Sequence, residues 1–236
     1  MMKIYFQKCN LDCCVYYKEI SGEIVYLILY VDDILIASKS IEHINFLKQQ
    51  LKGEFEMNDM GPAQKILEMQ LIRDWKSGTL FLRQEEYIRR VLDKFDMATA
   101  KPLQIPLPAH FRLSEQQCPK ADADKSEMMR IPYASVVGCL MYDMILTRPD
   151  IAHVVSVVSR YMPNPEKEHW TTVRWILRYL RGTSGRGLIY GGQRRDDTLI
   201  VGYVDADYAG DLDRRRCLTA YLFTFNNCTI NWKSQL

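Results

Sequence analysis

The sequence predicts an α+β fold, and three observations carry that prediction. Short runs rich in β-branched and aromatic residues lie near both ends of the chain, set off by turn residues. Longer runs between them repeat their apolar residues at helical spacing. A proline-bearing polar stretch interrupts the helical runs.

Taken in order, Val15 to Lys18 and Ile24 to Val31 flank Ser21-Gly22, and two β-rich runs around a Ser-Gly turn predict a hairpin. Ile34 to Ala37 adds a third strand directly after Asp32-Asp33, giving a small antiparallel sheet. Ile41 to Phe55 follows as a helix: Ser40 can cap it, and Ile41, Ile44, Leu47 and Leu51 share one face. Ile66 to Ile72 and Thr79 to Leu82 flank Lys76-Ser77-Gly78 as a second hairpin, and Gln84 to Phe95 follows as a helix. Lys101 to Lys125 holds Pro102, Pro106, Pro108 and Pro119 and reads as an extended linker.

Three helices come next, near Tyr133–Leu146, Asp150–Tyr161 and Glu166–Arg181, separated by Arg148-Pro149 and Pro163-Asn164-Pro165. The last is amphipathic. Trp170, Val173, Ile176, Leu177 and Leu180 face one way, and Arg174, Arg178 and Arg181 face another. Gly182 is expected to stop it, with a turn at Gly185-Arg186-Gly187. After a second boundary at Gly191 to Asp197, strands return at Leu199 to Val204, Leu218 to Phe225 and Thr229 to Trp232, the last two joined at Asn226-Asn227.

Composition narrows the function classes. The chain has 236 residues, 47% hydrophobic and 25% charged, with a net charge of +2 that names no partner. The charge distribution says more. Trp170 to Arg195 holds six arginines (Arg174, Arg178, Arg181, Arg186, Arg194 and Arg195) and no acid. Such a stretch is either a polyanion footprint or a solvated helix face. Seven cysteines (Cys9, Cys13, Cys14, Cys118, Cys139, Cys217 and Cys228) form no Cys-x-x-Cys pair. His43, His110, His153 and His169 complete no zinc spacing. The thiols therefore read as reduced packing residues. Met1 to Asn10 lacks a signal-peptide core, and Ile24 to Val31 is about a third of a membrane span. An intracellular protein with no membrane partner is expected, cytoplasmic or nuclear.

Asp32 and Asp33 carry the chemistry. Two carboxylates at the tip of an apolar hairpin repel each other, and burial does not require them there. Asp-Asp is also a common turn dipeptide. Its setting, Tyr-Leu-Ile-Leu-Tyr-Val-Asp-Asp-Ile-Leu-Ile-Ala-Ser, favours a hard divalent cation such as Mg²⁺ at the turn, with Mn²⁺ as a substitute.

Tyr30-Val31-Asp32-Asp33 between apolar strands resembles the Tyr-x-Asp-Asp box of reverse transcriptases. Pro132 to Gly138, Leu-Thr-Arg148-Pro149-Asp150-Ile, His169-Trp170 and Arg178-Tyr179-Leu180-Arg181-Gly182-Thr183 resemble the copia-type LTR retrotransposon Pol polyprotein. Gly202 to Asp211 is similar to the start of that family's ribonuclease H domain. The resemblance runs in order along essentially the whole chain.

It implies roles. Asp32 would be a catalytic metal ligand, Asp33 would support or share the site, and Tyr30 would lie beside the primer terminus. Leu67 to Leu82 resembles the primer grip, with Glu68 where the family usually has Gly. Arg174, Arg178 and Arg181 could contact template–primer phosphates. Asp205 matches the first catalytic metal-binding carboxylate of ribonuclease H, and Asp207 shares its strand parity. Ala220 stands where the family usually has Gly.

The implied layout is residues 1–100 as the later palm with the primer-grip-like hairpin and the start of the thumb, and 101–130 as linker. Residues 131–192 would be helical thumb and connection, and 199–236 a truncated ribonuclease H-like sheet. The implied partners are RNA or DNA template–primer, dNTP and the rest of the Pol polyprotein. A two-metal site needs carboxylates from more than one segment. The upstream palm Asp, the fingers and the later ribonuclease H acids are expected to be missing. This chain alone should then be inactive: a fragment of the enzyme, a nucleic-acid-binding remnant, or a degenerate element copy.

Overall fold

Two-residue turns decide the first sheet. In the computed structural model, which describes residues 5–108, 111–192 and 200–235, strands β1 (Gln7–Lys8), β2 (Val15–Ile20), β3 (Glu23–Tyr30) and β4 (Asp33–Ala37) pair in that order, all antiparallel. Ile20 faces Glu23 across Ser21-Gly22, where both φ values are positive (52° and 80°), the twist that fits a tight hairpin. Val25 and Leu27 point to the buried side of β3, while Ile24 and Tyr26 stay exposed. Helix α1 (Ile41–Glu54) starts where expected: the Ser40 side chain accepts from the Glu42 and His43 amides. Leu47 and Leu51 are its buried residues. A two-residue strand, β5 (Lys65–Ile66), ends this first unit, Met1–Ile66.

The second unit, Leu67–Leu236, holds the larger core. β6 (Met69–Asp74) and β7 (Thr79–Arg83) form the second hairpin, and α2 (Glu85–Lys94) follows. Where an extended linker is expected, the structure has a 3₁₀ turn at Glu115–Gln117 and helix α3 (Asp122–Met128). Ser114 caps the turn with a reciprocal Gln117 bond, a device the proline count concealed. Helices α4 (Tyr133–Leu146), α5 (Ala152–Ser159) and α6 (Lys167–Thr183) then pack with α2. Val136, Leu140, Ile151, Val155, Ile176 and Leu180 are fully buried among them. The Asp150–Tyr161 prediction resolves into a 3₁₀ turn, Pro149–Ile151, followed by α5. Among the described residues no single helix is long and apolar enough to cross a membrane.

Gly182 does not stop α6, which runs on to Thr183. Beyond it lies a strand absent from the sequence reading, β8 (Gly187–Gly191), antiparallel to β7. Its ends must be glycine. A Cβ at Gly187 would sit 2.0 Å from the Leu82 carbonyl oxygen, and one at Gly191 2.2 Å from that of Gly78. The glycines that read as loop punctuation are close-approach residues of a sheet.

The last sheet has the order β11-β10-β9, from β9 (Ile200–Asp207), β10 (Leu218–Phe225) and β11 (Cys228–Gln235). Asn226 and Asn227 make its turn at φ 49° and 62°. The second boundary expected at Gly191 to Asp197, the start of the strand at Leu199, and Arg194 and Arg195 all fall partly or wholly outside the described residues. Trp232 ties the sheet to α4 by donating its indole N–H to the Met144 carbonyl at 2.9 Å.

Candidate functional site

The Tyr30–Asp33 turn is set by register. Tyr30 pairs with Asp33 and Leu29 with Ile34, so Val31 and Asp32 alone form the loop. Val31 takes φ 52° while Asp32 does not take a positive φ. That arrangement ordinarily calls for Gly at the first loop position. A β-branched residue there costs roughly 1–2 kcal/mol, and Val31 gains no burial in return, being 81% exposed. The turn is held by the paired strands on either side. Tyr30 and Asp33, as direct cross-strand partners, share a face, and Asp32 stands at the corner. Tyr30, Asp32 and Asp33 are all exposed.

Exposed hard-oxygen donors of this kind suit a hydrated divalent cation. Two carboxylates do not surround two ions. Among the described residues neither aspartate belongs to a group of three converging metal-ligand side chains.

Asp205 lies on β9 opposite Ala220, and Asp207 opposite Leu218, so the two carboxylates share a face as strand parity predicts. Both are exposed. Both also act on His153 of α5. Burial and the Arg160 charge lower that imidazole's pKa, and Asp207 and Asp205 pull it back up. A Cβ at Gly210 would meet an Asp207 carboxylate oxygen at 2.4 Å, so this glycine leaves room for the acid.

The arginines of α6 divide. Arg174 is exposed. Arg178 donates Nε–H to the Lys101 carbonyl at 2.7 Å and lies over the Trp175 ring at 5.6 Å. Arg181 donates to the Ala100 carbonyl. The Leu103 amide donates to the Arg178 carbonyl at 3.2 Å, so residues near 100–103 run along this helix. A guanidinium carries five N–H donors, and one such bond leaves the rest for other acceptors. At the start of the second hairpin, Leu67 and Glu68 have φ 48° and 62°, the left-handed region that favours glycine, and the Glu68 carboxylate engages Arg90.

Sequence reasoning missed a buried polar cluster. Arg148 is 1% exposed. Its Nε and one terminal nitrogen each donate to Asp150 at 2.8 Å, and its terminal nitrogens reach the Thr183 carbonyl at 3.1 Å and hydroxyl at 2.7 Å. Tyr179 donates its hydroxyl to the same Asp150 carboxylate at 2.7 Å. Burial alone would raise the Asp150 pKa, but the Arg148 hydrogen bonds and charge outweigh it and hold it below the ordinary value.

Asp143, fully buried nearby, behaves oppositely. Burial pushes its pKa up to about 8 against the pull of Arg148, and neither carboxylate oxygen has a hydrogen-bond partner among the described residues. Gln84 accepts from the Thr147 hydroxyl at 2.7 Å, and its own amide nitrogen has no partner among the described residues. His169 is structural: buried, stacked on Tyr161 at 4.0 Å, and accepting the Glu166 amide at 2.9 Å.

Comparison with known proteins identifies the family to which these strands and helices belong. The family described as reverse transcriptase (RNA-dependent DNA polymerase) matches residues 1–109. The chain is 51% identical over 226 residues to the retrovirus-related Pol polyprotein from transposon TNT 1-94 of Nicotiana tabacum, covering 95% of the chain and 17% of that protein. It is 34% identical over 212 residues to an uncharacterized mitochondrial protein of Arabidopsis thaliana, covering 89% of the chain and 83% of that protein. It is 31% identical over 236 residues to the Pol polyprotein from the Arabidopsis thaliana transposon RE1, covering all of the chain and 15% of that protein. No solved structure matches. The chain belongs to the copia-type retrotransposon Pol polyprotein family, in its reverse transcriptase region, and spans about a sixth of the polyproteins it matches.

Proposed function

We propose that this chain supplies part of the catalytic palm of an RNA-directed DNA polymerase carried within a Pol polyprotein. The reaction is templated transfer of a nucleotide from dNTP to a primer 3′ end. The observation that carries this reading is the two-residue Val31-Asp32 loop, which presents Asp32 and Asp33 to solvent at the end of a paired apolar hairpin.

Asp32 holds the ions directly and Asp33 supports or shares the site. Mg²⁺, or Mn²⁺ in its place, lowers the pKa of the attacking primer hydroxyl and stabilises the leaving pyrophosphate when bound. Tyr30, on the same face as Asp33, packs beside the primer terminus. A two-metal site needs carboxylates from more than one segment, and among the described residues no third ligand converges on the turn. Asp205, with Asp207 on its face, begins a ribonuclease H site on the same logic. Arg174, Arg178 and Arg181 line α6 for template–primer phosphates. Such a reaction belongs inside the cell, in cytoplasm or nucleus.

A second reading, a nucleic-acid-binding module without chemistry, is favoured by one observation. Arg174, Arg178 and Arg181 all lie on α6 within this chain, whereas among the described residues no third ligand converges on the Asp32-Asp33 turn.

Mn²⁺-induced line broadening separates the two. Added to the isotope-labelled chain, Mn²⁺ should broaden the amide resonances of Tyr30 to Ile34, and Asp32→Asn should abolish the effect. No localised broadening, or broadening that Asp32→Asn leaves intact, would overturn the polymerase reading.

A further inference from the structure

Cys13 and Cys14 are unaccounted for by the polymerase reading, and the structure brings them together with a carboxylate. We propose that Asp12, Cys13 and Cys14 form a binding site for a thiophilic divalent cation, with Zn²⁺ as the reference ion. Their ligand atoms all lie within 4.8 Å of one another, and among the described residues this is the group of three that converges so.

The geometry fits the ion. The two sulfurs are 3.9 Å apart. Two thiolates at the Zn–S distance of about 2.3 Å, held at a tetrahedral angle, stand about 3.8 Å apart. A disulfide would need them to close to about 2.0 Å.

The turn is also set in advance. Asp12 accepts the Cys14 amide at 2.8 Å through one carboxylate oxygen. The Val15 amide donates to the Asp12 carbonyl at 3.3 Å, and the Cys9 amide donates to the Val15 carbonyl at 2.8 Å. The Leu29 amide on β3 donates to the Cys14 carbonyl at 2.9 Å, tying the turn to the sheet. Asp12 and Cys13 are exposed and Cys14 is half-buried, so a hydrated cation has access. Three protein ligands leave the fourth tetrahedral position to water.

Chemistry separates this site from the Asp32-Asp33 turn. Thiolates select Zn²⁺ over Mg²⁺, whereas a pair of carboxylates prefers the harder ion. Binding changes no oxidation state. Each thiol passes its proton to the buffer as its sulfur bonds the metal, so two protons leave per ion. The hydrogen bond with Cys13 and burial raise the Cys14 thiol's pKa, with Lys8 pulling the other way.

The test is calorimetric titration of the full reduced chain with Zn²⁺ in buffers of different ionisation enthalpy. Expected are one ion per chain and release of two protons. Cys13→Ser and Cys14→Ser should each weaken binding roughly tenfold or more, and Asp12→Asn severalfold. Cys118→Ser should change nothing, and excess Mg²⁺ should not displace the ion.

A second measurement on the unmutated chain avoids any folding artefact. Zn²⁺ should protect Cys13 and Cys14 from alkylation, read by peptide mass, while Cys217 stays reactive. Unchanged affinity in the Cys13→Ser/Cys14→Ser double variant would overturn the proposal. So would equal alkylation with and without Zn²⁺, or a Cys13–Cys14 disulfide that forms readily while the reduced pair takes up no ion.

Discussion

Replacing Asp143 by Asn changes one atom of a side chain that is fully buried in α4, with both oxygens unpaired among the described residues. The groups acting on it are Arg148, which favours the carboxylate, and Asp150, which opposes it. Tyr87 on α2 feels its charge, and burial is the leading cause of the rise in that phenol's own pKa. Held near 8 against an ordinary 3.8, the Asp143 carboxyl keeps its proton in the folded state and loses it in the unfolded chain across that interval.

The folded state therefore binds more protons between about pH 4 and pH 8. Asp143 stabilises the fold fully below its unfolded pKa, and that contribution drains away as pH rises through the folded value. At about 1.4 kcal/mol per pH unit, the drain amounts to roughly 4 kcal/mol between pH 5 and pH 8, a large share of a domain's usual 5–15 kcal/mol. Asn resembles the protonated acid and does not titrate.

Asp143→Asn should thus match the wild type within about 1 kcal/mol near pH 5 and exceed its stability by several kcal/mol near pH 8. Urea unfolding followed by tryptophan fluorescence measures this in the right place, because Trp75, Trp170, Trp175 and Trp232 all lie in the second unit. Taking the difference between variant and wild type at each pH cancels the other titrating groups. A difference that stays flat with pH, or an Asn variant weaker at pH 8, would refute the reasoning.

Three further outcomes follow from the same contacts. Arg148→Ala should cost about 3–5 kcal/mol in the same urea assay, because it strips Asp150 and Thr183 of their buried partner; a loss under 1 kcal/mol would contradict that role. Val31→Gly should stabilise the first unit by about 0.5–1 kcal/mol, relieving the positive φ at a small cost in chain entropy. Thermal unfolding read by circular dichroism in the presence and absence of the substitution checks it. Arg174→Ala should weaken binding to a primed RNA template without sequence preference and lower the salt slope by about 1, read by fluorescence anisotropy across a salt series.

Local signals made the strands and the Asp32-Asp33 turn legible. Ser21-Gly22 and Asn226-Asn227 demand positive φ, which the structure supplies at those residues. Asp32-Asp33 stood out because apolar strands flank it on both sides. Features set by distant partners were hidden. Arg148 read as a helix break beside proline, yet its burial depends on Thr183, 35 residues away. Strand β8 escaped notice because its glycines have meaning only against Leu82 and Gly78. Asp143 did leave a trace, as the lone acid within an apolar helical run from Tyr133 to Leu146. Proline content concealed α3 and the Ser114 cap, since neither depends on the prolines around it.

The assignment of Asp32 to polymerase chemistry is tested most directly by nucleotide incorporation. The chain can replace the matching segment of the tobacco Pol polyprotein, to which it is 51% identical. The chimaera should then be assayed on a primed RNA template with labelled dNTP and Mg²⁺. Incorporation that falls by about 100-fold or more in Asp32→Asn is the predicted result. Incorporation that persists undiminished in the Asp32→Asn chimaera would contradict it.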